Sequence, residues 1–270
     1  MCYNIRSKSC FARVFIYEII YAADKKEIAM KILIIRHGEP NYEIDGLTEK
    51  GKIEAELLSK RLIKENFAKI YCSPLGRARL TAKPTLDKLG MDAEICDWLE
   101  EFDAPVKLPY FDRPNCPWDL RPAFANAQDG LYLPDGWMNV THIKNSNAYQ
   151  RYAEVCESFD KTLEKHGYRR NGYIYEAVRP NHDTVAFFCH YGLTCVLLSH
   201  LMNCSPYSLW QHICTAPTAV TTIYTEEREA GIAHFRAASI GDISHLYVAG
   251  EEPSFAARFC ECYTDNTRHD

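Results

Sequence analysis

The stretch that decides the fold is Lys31-Ile32-Leu33-Ile34-Ile35-Arg36-His37-Gly38-Glu39. The apolar run from Ile32 to Ile35 marks a strand buried on both faces, as in a parallel sheet. The run stops at Arg36, His37 and Gly38. Open α/β sheets bind ligands beyond the carboxyl ends of their strands, so Arg36 and His37 stand where a ligand would lie. Gly38 lets the backbone turn there and approach a ligand closely. Arginine offers a planar fork of donors suited to phosphate oxygens, and neutral histidine offers a nitrogen nucleophile.

Two more stretches repeat this placement. Thr184-Val185-Ala186-Phe187-Phe188-Cys189-His190-Tyr191-Gly192 is a second buried strand ending in histidine with glycine nearby. In Tyr71-Cys72-Ser73-Pro74-Leu75-Gly76-Arg77 a strand ends, Pro74 is expected to start a helix, and Arg77 falls in its first turn. Free N–H groups and the helix dipole attract anions at such a terminus.

Outward from these stretches, strand and helix patterns alternate. Thr48 is placed to cap a helix whose stripe is Ile53, Leu57, Leu58, Leu62 and Ile63. Strand patterns follow at 67–72 and 93–96, around a helix at 77–89 closed by Gly90. Tyr149, Tyr152, Cys156, Phe159 and Leu163 are spaced as a helix, and 193–202 reads as another. Residues 219–225 and 233–238 form a hairpin pattern through 226–231, and 251–262 is expected to be a final helix. The fold class is therefore α/β, a three-layer α/β/α sandwich with a mainly parallel central sheet.

The periodicity breaks between about Asp103 and Asn145. This stretch carries Pro105, Pro109, Pro114, Pro117, Pro122 and Pro134, together with Trp118 and Trp137. An irregular segment of that length in a compact domain is usually a lid or binding loop, so it is read as an inserted lid. Its aromatic content suggests an apolar wall closing over a ligand. Lys107, Arg113 and Arg121 within it are read as solvated.

Composition limits the function classes. The 270 residues are 47% hydrophobic and 25% charged, which excludes a disordered chain. The formal charge of −5 argues against a nucleic-acid partner, so any anion site must rest on a few placed Arg and His residues. The apolar stretch 10–23 contains Arg13 and Glu18 and is too short to span a membrane, so no membrane partner is expected. The 12 cysteines lack zinc-site spacing and read as reduced thiols of a cytoplasmic protein. No metal site and no cofactor is expected. Residues 1–29 are read as an N-terminal extension, with the catalytic domain spanning 30–262.

Taken together, the motifs resemble the histidine phosphatase superfamily, the phosphoglycerate-mutase-like group. Arg36-His37-Gly38-Glu39 is similar to the family's leading motif, and Leu47-Thr48-Glu49-Lys50-Gly51 to the segment that follows it. Ser73-Pro74-Leu75 with Arg77-Ala78 and Thr81-Ala82 resembles the second motif. Leu99-Glu100-Glu101 looks like the family's Leu-x-Glu segment, and His190 with Gly192 like its second histidine. Asp242 with His245-Leu246 resembles a segment near the family's end. The resemblance covers about residues 30–250, the insertion excepted.

Three departures stand out. Tyr191 follows His190 where the family commonly has glycine, and it adds bulk at the pocket wall. The tryptophan and asparagine often found after the first motif are absent, and Asn41 and Tyr42 stand in that region. The His-Asp pair of the superfamily's acid branch is also absent, which points to an acid from the Leu-x-Glu segment.

The resemblance implies a metal-independent phosphatase acting on a small phosphorylated metabolite through a phosphohistidine. His37 would be the nucleophile and Glu101 the acid, with Glu100 as its neighbouring rival. Arg36, Arg77 and His190 would act in catalysis and hold the phosphate, with Asn41 among the substrate-binding residues. The alternatives are phosphoglycerate-mutase-type phosphoryl transfer and an inactive phosphate-binding relative. Substrate identity and oligomeric state are not legible from the residues.

Overall fold

The computed structural model describes residues 29–255 and Thr264. Most of the 1–29 extension and most of the 251–262 stretch lie outside the described residues. Residues 251–255, the described start of that stretch, are not helical.

The core of the fold is an eight-stranded sheet. Strand β1 (Lys31–Arg36) lies at its centre, between β8 (Thr184–Cys189) and β9 (Val220–Glu229). Beyond β8 come β4 (Phe67–Cys72) and the two-residue β5 (Glu94–Ile95). Beyond β9 come β10 (Ile232–Asp242), β7 (Ile174–Ala177) and β6 (Tyr168–Asn171). The pairs β5–β4, β4–β8 and β8–β1 are parallel, whereas β1–β9, β9–β10, β10–β7 and β7–β6 are antiparallel. These pairings make β9 and β7 the strands that oppose the common direction, so the sheet is mainly parallel.

The period-2 alternation of β1 sorts its side chains between two cores. Ile32 and Ile34 join the larger core, and Leu33 and Ile35 the smaller one on the opposite face. Strand β8 divides likewise, with Val185 and Phe187 on one side and Ala186 and Phe188 on the other. The smaller core is closed by α1 (Glu49–Leu62) through Leu58 and Leu62, and by α2 (Gly76–Leu89) through Ala78 and Ala82. The larger core takes Phe159 and Leu163 from α5 (Ala148–Lys165) and the apolar run of α6 (Tyr191–Met202). Helix α6 is buried along nearly its whole length, as a helix that is apolar all round must be. The result is the expected three-layer arrangement.

The elements follow the sequence signals closely. Thr48 caps α1, its hydroxyl accepting from Gly51 N–H at 3.0 Å. Gly90 ends α2 in the left-handed conformation, at φ 62°. The start of α2 differs from expectation: the helix begins at Gly76, with Leu75 rather than Pro74 flanking it. The β9–β10 hairpin turns at Ala230-Gly231, with both strands longer than their apolar patterns. The β6–β7 hairpin gave no pattern because Arg169, Arg170 and Asn171 form a polar strand at the sheet edge.

The 103–145 segment is irregular apart from short helical turns at Pro122–Asn126, Trp137–Asn139 and Thr141–Lys144. It is anchored in the larger core by Val106, Leu108, Leu120, Leu131 and Trp137. Among the described residues, no helix is long and apolar enough to cross a membrane.

Candidate active site

The parallel register brings the three strand-end motifs to one edge. Arg36 pairs with Cys189 across β1 and β8, and Cys72 pairs with Phe188 across β4 and β8. The chain continues this locking past the strands. His37 N–H donates to Cys189 C=O at 3.0 Å, and Ser73 N–H donates to Phe188 C=O at 2.9 Å. Arg36, His37, Ser73 and His190 therefore converge by backbone geometry, although 117 residues separate Ser73 from His190.

The two imidazoles face each other with ring centroids 5.1 Å apart. His37 is 3% exposed and His190 fully buried. His37 Nδ1 lies 2.7 Å from the carbonyl of Gly38. A carbonyl only accepts, so Nδ1 carries the proton and the lone pair of Nε2 is left for attack. Burial and the neighbouring Arg36 guanidinium hold the His37 pKa well below its usual value. Arg77 pushes it the same way, while the Gly38 carbonyl opposes the shift. His37 is thus neutral near pH 7. Burial and the proximity of His37, Arg77 and Arg36 likewise depress His190.

Two glycines let the leading motif sit this close to α1. A Cβ on Gly38 would lie 2.8 Å from Gly51 C=O, and a Cβ on Gly51 would strike the backbone of Glu39. Thr81 secures the turn, its hydroxyl accepting from Gly38 N–H at 2.8 Å.

The buried donors around the imidazoles are not all used. Arg36 gives Nη1 to Thr215 C=O and lies against the Tyr191 ring, 5.7 Å from its centroid. Arg77 gives Nη1 to Asp45 at 2.8 Å and lies 5.5 Å from the Tyr42 ring centroid. His190 Nε2 lies 2.8 Å from Ser73 Oγ. Yet Arg36 Nε, Arg77 Nε and His190 Nδ1 are buried without a hydrogen-bond partner among the described residues. An unsatisfied buried donor costs about 1–3 kcal/mol. All three belong to residues that neighbour His37, and donors of this kind suit the oxygens of a small anion.

Glu101 lies beside this group. Its Oε1 accepts from Leu193 N–H at 2.9 Å and from Phe102 N–H at 2.8 Å, and its Oε2 from Gly192 N–H at 3.2 Å. The carboxylate thus sits at the N-terminus of α6, directly after His190. Glu100 stands one residue earlier, at the end of the short 3-10 turn Asp97–Leu99. Asn41 lies on the short strand Pro40–Asn41 and uses its Oδ1 to accept from Glu43 N–H at 3.1 Å, a local turn contact.

Several contributors were missed in the sequence. Ser73 touches His190, Asp45 clamps Arg77, and Trp118 covers Gly192. Asp45 could have been sought as a residue tolerant of its positive φ of 45° in a turn before a helix cap. Trp118 was read only as one aromatic residue of the inserted segment, and its seat over Gly192 leaves no local signal. Tyr191 does more than add bulk: its hydroxyl donates to the carbonyls of Trp210 and Ile213, at 2.9 and 3.0 Å.

The fold and site define an α/β protein that gathers two buried histidines and two arginines at one sheet edge. Residues 32–106 match the family profile described as histidine phosphatase superfamily (branch 1). A Schizosaccharomyces pombe protein named as a probable phosphatase is 26% identical over 234 residues, covering 80% of this chain and 95% of its own. The adenosylcobalamin/alpha-ribazole phosphatase of Salmonella typhimurium is 25% identical over 194 residues, 67% of this chain and 84% of its own. Among solved structures, the Entamoeba histolytica phosphoserine phosphatase in complex with phosphoserine shares 20% identity. It covers 80% of this chain and 99% of its own at a TM-score of 0.51. The mycobacterial glucosyl-3-phosphoglycerate phosphatase shares 18% identity over 79% of this chain and 99% of its own, also at 0.51. At those identities the two structures speak for the fold. Residues 32–106 thus resemble the histidine phosphatase superfamily, and the chain as a whole is similar to proteins named as phosphatases.

Proposed function

We propose that this protein is a metal-independent phosphatase that hydrolyses a small phosphomonoester through a phosphohistidine on His37. The match of residues 32–106 to the superfamily profile and the relatives named as phosphatases support a phosphoric monoester hydrolase. The observation that carries this reading is the neutral His37, its Nε2 unprotonated, with Arg36, Arg77 and His190 near it and Arg36 Nε, Arg77 Nε and His190 Nδ1 buried without a partner among the described residues.

The chemistry follows from those groups. The phosphoryl oxygens accept from Arg36, Arg77 and His190, which stabilise the charge of the transition state. The His37 Nε2 lone pair forms a bond to phosphorus while the bond to the leaving oxygen breaks. Glu101, in its protonated form at the start of this step, gives that oxygen its proton. Glu101, now a carboxylate, then takes a proton from water. The resulting hydroxide forms the new P–O bond as the N–P bond breaks, and the His37 lone pair is restored. Burial of both histidines limits water access during the first step.

Phosphate release from a panel of phosphomonoesters tests this, with wild type and His37→Ala compared in the presence of a chelator. Turnover by wild type and its loss in a folded His37→Ala protein are expected. A His37→Ala protein that retains full turnover overturns the assignment. Absence of turnover by wild type, even on an activated aryl phosphate, points to the mutase or to the inactive binder.

A further inference from the structure

We infer that Trp118 is the wall against which the leaving group rests, and that the preferred substrate carries a planar, largely apolar leaving group. This inference rests on the phosphatase reading above, because it follows the position of the acid. The group that protonates the leaving oxygen must lie beside it, so the leaving group extends along Glu101.

Trp118 stands at that place. A Cβ built on Gly192 would run into the six-membered ring of Trp118 and come within 2.9 Å of Glu101 Oε1. The indole edge and the carboxylate thus share one neighbourhood at the start of α6. A group leaving toward Glu101 meets the indole. Trp118 is held at its backbone and by two neighbouring rings, and it stays only partly buried. Its C=O accepts from Gln211 Nε2, and its ring packs on Tyr191 and Trp210 at centroid distances of 5.9 and 5.8 Å. Trp210 is itself tied down, its Nε1 donating to Gly192 C=O at 2.9 Å. The platform is rigid, and rigid aromatic surfaces bind planar groups at low entropic cost.

Charge argues for the same class. The cations near the two histidines are Arg36 and Arg77, both committed to the phosphate site. The basic residues of the inserted segment are taken up by solvent or by another ring: Lys107, Arg113 and Lys144 are exposed, and Arg121 lies over Tyr110, 4.6 Å from its ring centroid. A leaving group bearing its own carboxylate would meet Glu101 and an indole. A planar apolar group meets a matching surface.

Two phosphomonoesters separate the possibilities: 2-naphthylmethyl phosphate, with a planar leaving group, and glycerol 3-phosphate, with a small polar one. The expected result is a ratio of kcat/KM, naphthylmethyl over glycerol, that falls about tenfold in Trp118→Leu, as loss of one stacking contact implies. In Trp118→Phe the ratio is expected to stay within about threefold of wild type, because an aromatic face remains. A ratio unchanged in Trp118→Leu overturns the inference. A second measurement needs no variant and no turnover. Calorimetry on wild type with 2-naphthylmethylphosphonate and methylphosphonate is expected to show the former binding at least about tenfold tighter. Equal affinities overturn the platform even if hydrolysis is robust. Selective binding without any hydrolysis overturns the phosphatase reading and keeps the platform.

Discussion

Ser73 Oγ lies 2.8 Å from His190 Nε2, and that contact decides which nitrogen of His190 is left without a protein partner. Ser73 Oγ also accepts from Leu75 N–H at 3.3 Å, so we assign its own proton to His190 Nε2. Nδ1 then carries the hydrogen that is left without a protein partner. Ser73→Ala removes the constraint on ring orientation without touching the anion. A fall in kcat/KM of roughly tenfold is expected, about the cost of one misdirected buried hydrogen bond. The melting temperature should move by only a few degrees. Steady-state kinetics on an aryl phosphate with a thermal melt checks both.

Asp45 orients the second arginine. Its Oδ1 accepts from Arg77 Nη1 at 2.8 Å and its Oδ2 from the N–H of Gly76, the first residue of α2. Burial raises the Asp45 pKa, but Gly76 and Arg77 outweigh this and hold it below the usual carboxylate value. Asp45→Asn keeps a residue tolerant of the positive φ and removes the charge. Arg77 is then less constrained, so KM and the inhibition constant of inorganic phosphate are expected to rise several-fold, with a smaller change in kcat. A change in kcat alone would contradict the clamp.

Gly192 has no room for a methyl group between the Trp118 ring and Glu101. Gly192→Ala must therefore shift the indole or the acid. Overpacking of this kind costs about 1–3 kcal/mol. Chemical denaturation should show that loss, together with a large drop in turnover. Alanine at this position with full activity would refute the packing described.

The pH dependence of stability has a definite sign. Burial pushes His142 down to about 4, and His37 and His190 are also depressed. A histidine that is harder to protonate folded than unfolded contributes its full stability above the unfolded pKa, about 6.5. As pH falls below that value, the unfolded chain takes up the proton first and stability declines. For His142 the decline runs from about 6.5 to about 4. His142→Gln should make the slope of stability against pH shallower by up to about 1.4 kcal/mol per pH unit in that window. Urea denaturation at pH 7, 6 and 5 measures it. An unchanged slope would mean that His142 titrates normally in the fold.

The limits of sequence reading are visible in particular residues. Strands 67–72 and 184–189 were legible to the residue, because Val185–Cys189 is a continuous apolar run and only Lys69 interrupts the one at 67–72. The β6–β7 hairpin was not, since its buried Tyr168, Tyr175 and Ala177 are interspersed with exposed and polar residues at the sheet edge. Glu101 and Glu100 could not be separated along the chain. In space, the Glu101 carboxylate meets Gly192 and Leu193, 91 and 92 residues away.

By itself, the sequence determined the α/β alternation, the strand-end placement of Arg36, His37 and His190, and the capped helices around them. These are local or periodic properties: burial demands apolar runs, helix ends demand caps, and tight turns demand glycine. Only the tertiary structure decided that Ser73 holds His190, that Asp45 holds Arg77, and that Trp118 covers Gly192 beside Glu101. Those contacts join elements whose separation along the chain carries no pattern. The parallel register and the packing of the inserted segment on α6 create them.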